Sequence, residues 1–177
     1  MKKLIVCIAT LLPLAAVFAL TLAQAWQVTD KYEIGFSSND AGGVFKKFSA
    51  VILFDDKNPA ASSFDLTIDA ASINTGNALQ NKHAKSDEWF DVTKYPVIKY
   101  VSKKIVKTAT GYQVTGDMNM HGVKKELVIP FGFKPSGNTG LFTASFNINR
   151  NDFHLGKPGP DVAEEIKVDV SVPVTKK

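Results

Sequence analysis

Apolar and polar residues alternate with period two along eight separate stretches of this 177-residue chain. Successive side chains of a β-strand point to opposite faces, so this period predicts strands with one buried face. The apolar members of the eight stretches are Tyr32, Ile34 and Phe36; Phe48, Ala50, Ile52 and Phe54; Phe64, Leu66, Ile68 and Ala70; Ile98 and Tyr100; Tyr112, Val114, Gly116, Met118 and Met120; Leu127, Ile129, Phe131 and Phe133; Phe142, Ala144, Phe146 and Ile148; and Ile166, Val168, Val170, Val172 and Val174.

The spacing of these stretches predicts an all-β fold. Clusters of Gly, Pro, Asn and Asp between several of them favour hairpin connections, and no long helical pattern intervenes. Eight strands suit an extended antiparallel barrel, which is the architecture that we predict. Alternation is the same in a β-sandwich, so a sandwich is the alternative.

The segment from 72 to 91 departs from the period of two. Asn74 or Thr75 is placed to cap a short helix from 77 to 90, because these side chains accept hydrogen bonds from free helix N–H groups. We expect this helix to lie over one open end, or mouth, of the barrel, and Pro96 to begin the next strand. One face of the helix would carry Leu79, His83, Ser86 and Phe90.

The first 25 residues have the organisation of a signal peptide. Lys2 and Lys3 form a positive start, residues 4–22 are largely apolar, and residues 23–25 have the small-x-small pattern of a cleavage site. A retained N-terminal anchor is the alternative, because the apolar run is long. We predict a signal peptide over 1–25, one domain over 26–177, and export to a bacterial periplasm, with secretion as the fallback.

Charge, cysteine and histidine content argue against several classes of protein. The net charge is +4, the lysines are interspersed with acidic residues, and Arg150 is the only arginine. Nucleic-acid binders rely on clustered Lys and Arg, so we expect no nucleic-acid partner. The only cysteine, Cys7, lies in the predicted signal peptide. His83, His121 and His154 lack the close spacing of metal ligands, so we expect no metal site.

The inward face of the predicted barrel determines what the barrel can hold. Eight strands enclose either interlocked side chains or one small ligand, and alternation does not distinguish the two. Met118 and Met120 favour a ligand, because flexible side chains adapt to an irregular apolar guest. The candidate lining residues are Phe36, Phe48, Ile52, Phe54, Phe64, Leu66, Ile68, Phe90, Ile98, Tyr100, Tyr112, Val114, Met118, Met120, Leu127, Ile129, Phe131, Phe133, Phe142, Phe146, Ile148, Val168 and Val170.

Catalysis would need a titratable group inside the barrel. The candidates for such a group are Tyr32, His83, Tyr100, Tyr112 and Arg150. No nucleophile and base stand at a spacing typical of an active site, so we expect a binding protein without catalytic residues. An enzyme acting on an apolar substrate in the lumen is one alternative, and a structural or stress-related protein with a filled barrel is another.

Several blocks of the chain resemble one protein family. They are residues 67–77, with His83, Ser86, Phe90-Asp91-Val92, Tyr95-Pro96 and Tyr100-Val101-Ser102; the hairpin from Gly116 to Lys125; Phe146 to Phe153 around Ile148-Asn149-Arg150; and the closing strand from Val162 to Val170. Together with Trp26-Gln27-Val28 and a strand from Val44 to Phe54, they resemble the YceI-like family of periplasmic polyisoprenoid-binding proteins. The resemblance covers essentially the whole chain after the predicted signal peptide.

The resemblance implies a lipocalin-like barrel whose lumen holds a long isoprenoid chain. On that basis the domain over 26–177 binds a polyisoprenoid or quinone-like lipid, for transport or storage, with no other cofactor. Secretion and a homodimer are also implied. The sequence itself offers Lys82, Lys85, Lys103 and Lys104 for transient contact with a membrane surface, although solvated lysines are the simpler interpretation.

Departures from the family pattern lie mainly in the predicted helix. Residues 80–84 read Gln-Asn-Lys-His-Ala where Arg-Asp-x-His-Leu is usual, Trp89 replaces a usual Phe, and His154 replaces a usual Gly. His83 and Arg150 are the candidate contacts to a polar head group, since both carry hydrogen-bond donors. The alternatives are a satisfied, partly buried histidine, and for Arg150 an ion pair with Asp152, Glu164 or Glu165.

Overall fold

The structure is a computed structural model that describes residues 23–159 and 162–177. The predicted signal peptide falls mainly on residues 1–22, which lie outside the described residues, so it stays a prediction. The strands are β1 Ala25–Val28, β2 Glu33–Ser37, β3 Gly42–Phe45, β4 Phe48–Leu53, β5 Ser63–Asp69, β6 Ile73–Asn74, β7 Val97–Thr108, β8 Gly111–Met120, β9 Val123–Ser136, β10 Thr139–Asn149 and β11 Glu165–Lys176, and the α-helix is α1 Ala78–Ala84. In this part of the chain, no helix is both long and apolar enough to cross a membrane.

All of these strands belong to one antiparallel sheet that closes on itself. β1, β4, β5, β7, β8, β9, β10 and β11 are hydrogen-bonded in this order, and β11 also pairs with β1 to complete a ring of eight. Residues 174–176 of β11 face β1, whereas residues 167–171 face β2. β2 pairs with β3, and β3 with β6, which extends the wall beyond β1 and β4. The predicted eight-stranded barrel is therefore confirmed over the sandwich.

Each of the eight alternating stretches forms a strand, namely β2, β4, β5 and β7 to β11. The short strands β1, β3 and β6 do not stand out in the alternation, because two to four residues cannot display a period. They become strands because longer neighbours pair with them. Residues 44–54, which resembled one strand, are divided into β3 and β4 at Lys46 and Lys47.

The helix is shorter than the sequence predicts. Asn77 caps it, since its side-chain oxygen accepts from the backbone N–H groups of Leu79 and Gln80 at 2.9 and 3.0 Å. The predicted caps, Asn74 and Thr75, are thus wrong, because Asn77 is the residue beside the first free N–H groups. After Lys85 the chain continues as turns to Tyr95, and β7 begins one residue after Pro96.

Aromatic side chains fill one end of the barrel, which we call the closed end. Phe54 is only 1% exposed and has five aromatic rings within 5.0–6.0 Å, those of Phe64, Tyr112, Phe131, Phe133 and Phe142. Most of these pairs are edge-to-face, the geometry that the charge distribution of aromatic rings favours. Trp26 packs on Phe133, and its indole N–H donates to the Phe54 carbonyl at 3.1 Å.

Strands β9 and β10 pair over only part of their length. Their pairing ends at Phe131 and Ala144, whereas β10 continues to pair with β11 as far as Asn149. Pro130 precedes the last paired residue of β9, and proline has no N–H to donate to a ladder. A 3₁₀ turn at Arg150–Phe153 contacts both strands there, and Lys125 and Asp152 form an ion pair of 2.5 Å.

Gly116 allows β8 to approach β7 closely, and this gives a test of the packing. A Cβ at Gly116 would clash with the Val101 carbonyl oxygen and lie 2.8 Å from the Tyr100 hydroxyl. We expect Gly116→Ala to lower the free energy of unfolding by about 1–3 kcal/mol in urea denaturation, as overpacking generally does. The matched control is Gly35→Ala, whose Cβ would lie 3.6 Å from its nearest neighbour, so its effect is expected to stay below about 1 kcal/mol. Equal effects of the two substitutions would contradict this account.

Candidate ligand-binding cavity

Between the closed end and the opposite mouth lies a cavity of about 740 Å³. Its wall consists of inward side chains of the barrel strands. At the mouth it is bordered by the β2–β3 turn, by α1 with the turns after it, and by the loop that follows β10. The cavity thus has an apolar interior and an entrance formed by three non-strand segments.

Most of the lining residues predicted from the sequence do face this cavity. They are Phe36, Phe48, Ile52, Phe64, Leu66, Ile68, Phe90, Ile98, Tyr100, Val114, Met118, Met120, Ile129, Phe131, Phe142, Phe146, Ile148, Val168 and Val170. The candidate head-group contacts His83 and Arg150 also line it. Their contact with a ligand stays a prediction, because the structure establishes only their position.

Four predicted lining residues lie outside the cavity. Phe54, Tyr112 and Phe133 pack into the closed end, where other rings occupy the space that a ligand would need. Leu127 lies on the segment of β9 that does not pair with β10. Its side chain is on the inward face predicted by the alternation, but it is half-buried against the core outside the cavity. Alternation specifies the face on which a side chain lies, but not its height along the barrel axis.

The structure also adds lining residues that the sequence analysis did not select. Ile34, Ala144, Ile166 and Val172 were already in the alternating stretches, so parity could have identified them. The others lie at the opposite parity of an alternating stretch, as Gly35 and Thr143 do, or in segments without alternation. These are Gly35, Ser38, Asp40, Ala41, Phe45, Ile73, Thr75, Leu79, Gln80, Ala84, Trp89, Thr143, Leu155 and Val162.

Arg150 organises the loop at the mouth. It is 1% exposed, and its guanidinium donates to four backbone carbonyls at 2.8–3.1 Å, those of Leu155, Lys157, Val162 and Ala163. The expected ion pair with Asp152, Glu164 or Glu165 is not formed within the described residues, and Asp152 pairs instead with Lys125. Backbone carbonyls satisfy the guanidinium because the loop folds around it, which removes much of the cost of burying a charge.

His83 and Trp89 form a second polar contact at the mouth. The indole N–H of Trp89 donates to Nε2 of His83 at 2.7 Å, and the Trp89 ring lies 5.6 Å from the Arg150 guanidinium carbon. His83 itself is exposed, so the interpretation as a partly buried histidine is wrong. It remains accessible because the short helix that carries it has no buried residue.

His121, His154 and Lys103 make no hydrogen bond with this pair among the described residues. His121 lies in the β8–β9 turn, with Nδ1 3.1 Å from the Phe153 carbonyl oxygen, and His154 is exposed. Within the described ranges, no three potential ligands come close enough to hold a metal ion.

The candidate membrane-contact residue Lys103 lies on β7, where hydrogen bonds from Lys103 and Lys124 lower the pKa of Asp117. The positive charge of Lys103 is thus compensated by a neighbouring carboxylate.

Tyr100 is the buried titratable group within the cavity wall. Its hydroxyl lies 3.2 Å from the carbonyl oxygens of both Val114 and Leu127, to which it can donate. Burial raises the pKa of this hydroxyl, and the negative charges of Asp117 and Glu126 raise it further. At neutral pH Tyr100 is therefore a protonated donor to the wall and is not available as a base.

The raised pKa of Tyr100 predicts a loss of stability at alkaline pH. Unfolded tyrosine ionises near pH 10, whereas folded Tyr100 keeps its proton to higher pH. Above about pH 10 the unfolded chain therefore binds fewer protons, and the free energy of unfolding falls as pH rises. We expect urea denaturation between pH 7 and 11 to show that the free energy of unfolding of the wild type falls more steeply with pH than that of Tyr100→Phe. The difference between the two slopes should reach up to about 1.4 kcal/mol per pH unit. Parallel slopes for the two proteins would contradict the assignment.

Comparison with known proteins gives consistent matches. A family model described as the YceI-like domain matches residues 25–174, which confirms the resemblance seen in the sequence. A UPF0312 protein of Pseudomonas savastanoi pv. phaseolicola is 36% identical over 136 residues, covering 73% of this chain and 70% of the relative. Protein YceI of Shigella flexneri is 31% identical over 140 residues, covering 73% and 71%.

Solved structures agree on the architecture. BcnA of Burkholderia cenocepacia superimposes with a TM-score of 0.77 and 30% identity over 82% of this chain and 97% of that one. The YCEI protein of Campylobacter jejuni gives 0.73 and 27% over 80% and 88%. A polyisoprenoid-binding domain from Saccharophagus degradans gives 0.66 and 16% over 89% and 100%, so this last likeness concerns the fold alone.

Proposed function

This chain belongs to the YceI-like family, and from that premise we propose that it binds a long apolar lipid of the isoprenoid type in its barrel cavity. The observation that carries the proposal is the cavity of about 740 Å³, lined by aliphatic, aromatic and methionine side chains. Small-ligand sites generally occupy about 300–1,000 Å³ and are mostly apolar. A filled barrel, the structural alternative, would leave no such volume.

The shape of the lining suits a flexible hydrocarbon chain. Burial of one five-carbon isoprene unit contributes on the order of 4 kcal/mol, at about 0.8 kcal/mol for each carbon group. Ordering of the chain on binding offsets a large share of this. Met118 and Met120, on one strand of the wall, can adapt to the irregular surface of such a chain. The domain from Saccharophagus degradans that shares this fold is described as polyisoprenoid-binding, and we propose the same ligand class here.

Binding fits the polar groups of the cavity better than catalysis does. Arg150 and Tyr100 are already engaged with backbone carbonyls, and the Nε2 of His83 accepts from Trp89. A general base needs a free lone pair near the proton that it removes. A polar lipid end at the mouth would meet His83 and Arg150, which we propose as its contacts.

Transport or storage in the periplasm is the setting that we propose for this binding. Its support is the predicted signal peptide, and secretion is the fallback. The mouth also carries Leu79, which is 76% exposed and lines the cavity, so transient membrane contact would occur through this end. A homodimer is a further proposal, for which the exposed Val51, Val101 and Val128 on the outer wall offer apolar surface.

Native mass spectrometry with solvent extraction tests the ligand directly. We expect protein recovered from a bacterial periplasm to carry one isoprenoid molecule per chain. A ligand-free mass, with no uptake of added ubiquinone or polyprenyl phosphate, would refute the proposed function.

A lumen-blocking substitution tests where the ligand lies. Ala144 lines the cavity, so Ala144→Trp should lower isoprenoid uptake by roughly tenfold or more, because the added ring occupies ligand space. Asn147→Trp is the matched control, since Asn147 lies on the same strand but is exposed on the other face. Thermal unfolding of both variants reports whether they fold. If folded Ala144→Trp binds as well as Asn147→Trp, the ligand does not occupy the cavity.

A further inference from the structure

His83 and Trp89 are joined by a hydrogen bond that depends on the protonation state of the histidine. The indole N–H can only donate, so Nε2 of His83, 2.7 Å away, must accept. Only a neutral imidazole has a nitrogen that accepts, and a protonated one donates from both. Histidines ordinarily change charge between about pH 5 and 8.

Trp89 lies where two segments of the mouth meet, the helix side and the loop after β10. It follows α1 in the chain, lines the cavity, and has the Arg150 guanidinium carbon 5.6 Å from its ring. A Cβ at Gly156 would lie 3.0 Å from the indole, so the loop after β10 packs directly against this ring. The backbone N–H of Gly156 also donates to the Glu88 carbonyl at 2.9 Å. Trp89 therefore connects the helix side of the mouth with the Arg150 loop.

The helix α1 contributes little apolar packing to the mouth, although Phe90, which follows it, packs edge-to-face on Phe45. No residue of α1 is buried, and Leu79 is 76% exposed. Segments with few buried apolar contacts open at low free-energy cost. The His83–Trp89 hydrogen bond adds to two other contacts of this segment, the 2.7 Å bond from the Thr75 N–H to Asn81 and the 2.9 Å bond from the Gly156 N–H to the Glu88 carbonyl. It is the one of these three that a single protonation removes.

We propose that Trp89 closes the mouth of the cavity and that protonation of His83 releases it, which gives ligand exchange a dependence on pH. This inference rests on the proposed function. A proton on Nε2 removes the acceptor and leaves two N–H groups facing one another. The same proton adds a positive charge to a mouth that already holds the Arg150 guanidinium. A phenylalanine at this position could not form the bond, because its ring has no N–H group.

Other charged groups surround this pair. Among the described residues of the elements that border it, they are Lys82 on α1; Lys85, Asp87, Glu88, Asp91 and Lys94 in the turns that follow; Arg150, Asp152, His154, Lys157 and Glu164 in the segment after β10; and Asp40 on the β2–β3 turn. Of these, Glu88 lies 4.0 Å from Lys157, Asp152 pairs with Lys125, and Asp40 accepts from the Ala163 N–H, so these three acidic groups already have partners. The Arg150 guanidinium has no such carboxylate among its partners.

The first experiment needs no ligand. Trp26 and Trp89 are the only tryptophans, so the emission of the wild-type chain minus that of Trp89→Phe reports on Trp89. We expect this difference to change in one step between pH 8 and 5. The same difference is then taken between His83→Gln and the double variant His83→Gln/Trp89→Phe. In this second difference the step should vanish, because glutamine keeps an acceptor oxygen but does not titrate. A step that survives in His83→Gln would come from His121 or His154 and would overturn the proposal.

The second experiment measures release of geranylgeraniol, an isoprenoid alcohol without a group that titrates in this range. Radiolabelled alcohol is loaded into the protein and its transfer to phosphatidylcholine vesicles is followed at pH 5.5 and 7.5. We expect release to be roughly three- to tenfold faster at pH 5.5, the size of one hydrogen bond of ordinary net strength. The ratio of the two rates should fall to about one in His83→Gln, in His83→Ala and in Trp89→Phe, all of which lack a titratable acceptor or its donor.

The possible outcomes distinguish this proposal from the proposed lipid binding on which it rests. If geranylgeraniol binds, is released at equal rates at both pH values, and no emission step depends on His83, the proposed closure by Trp89 is wrong and lipid binding stands. An emission step without any binding of the alcohol would retain the movement of Trp89 and count against the proposed function.

Discussion

Closure of the sheet through β11 is the constraint on which the rest of the structure depends. This strand pairs with β10 along its whole length and, on its other edge, with β1 and β2 in succession. Once the ring is closed, every inward side chain faces the same enclosed volume, and no second layer is needed to bury the apolar faces. The short strands β3 and β6 follow from the same closure, because they continue the wall where β11 pairs with β2.

The size of the inward side chains divides the enclosed volume into a filled end and a cavity. Near β1 the inward residues are aromatic rings packed on Phe54, and they leave no room for a guest. Further along, aliphatic side chains, methionines and the small Ala144 line the wall, and the cavity begins. The same apolar pattern thus produces a solid end and an open one.

Polar contacts hold the mouth together with the apolar burial of Leu155 and the packing of Phe90 on Phe45. The guanidinium of Arg150 donates to four carbonyls and so fixes the loop after β10. Trp89 packs between that loop and the helix side, and Asp40 joins the β2–β3 turn to Ala163 at 2.6 Å. An apolar chamber with a polar, lightly packed entrance is well suited to a ligand with a long apolar tail and a small polar end, which agrees with the proposed function.

The sequence by itself determined the face on which most wall residues lie. Period-two alternation identified the eight principal strands and placed Phe64, Val114 and Ile129 on the inside, since side-chain direction along a strand is a local property. Three features of the site were determined only by the tertiary structure. Height along the barrel axis removed Phe54 and Phe133 from the cavity, and backbone carbonyls around Arg150 replaced an ion pair. The approach of Trp89 to His83 and Gly156 joined the helix side of the mouth to the loop after β10. Each depends on distances between residues far apart in the chain or on the path of a loop, and a periodic pattern carries no information about either.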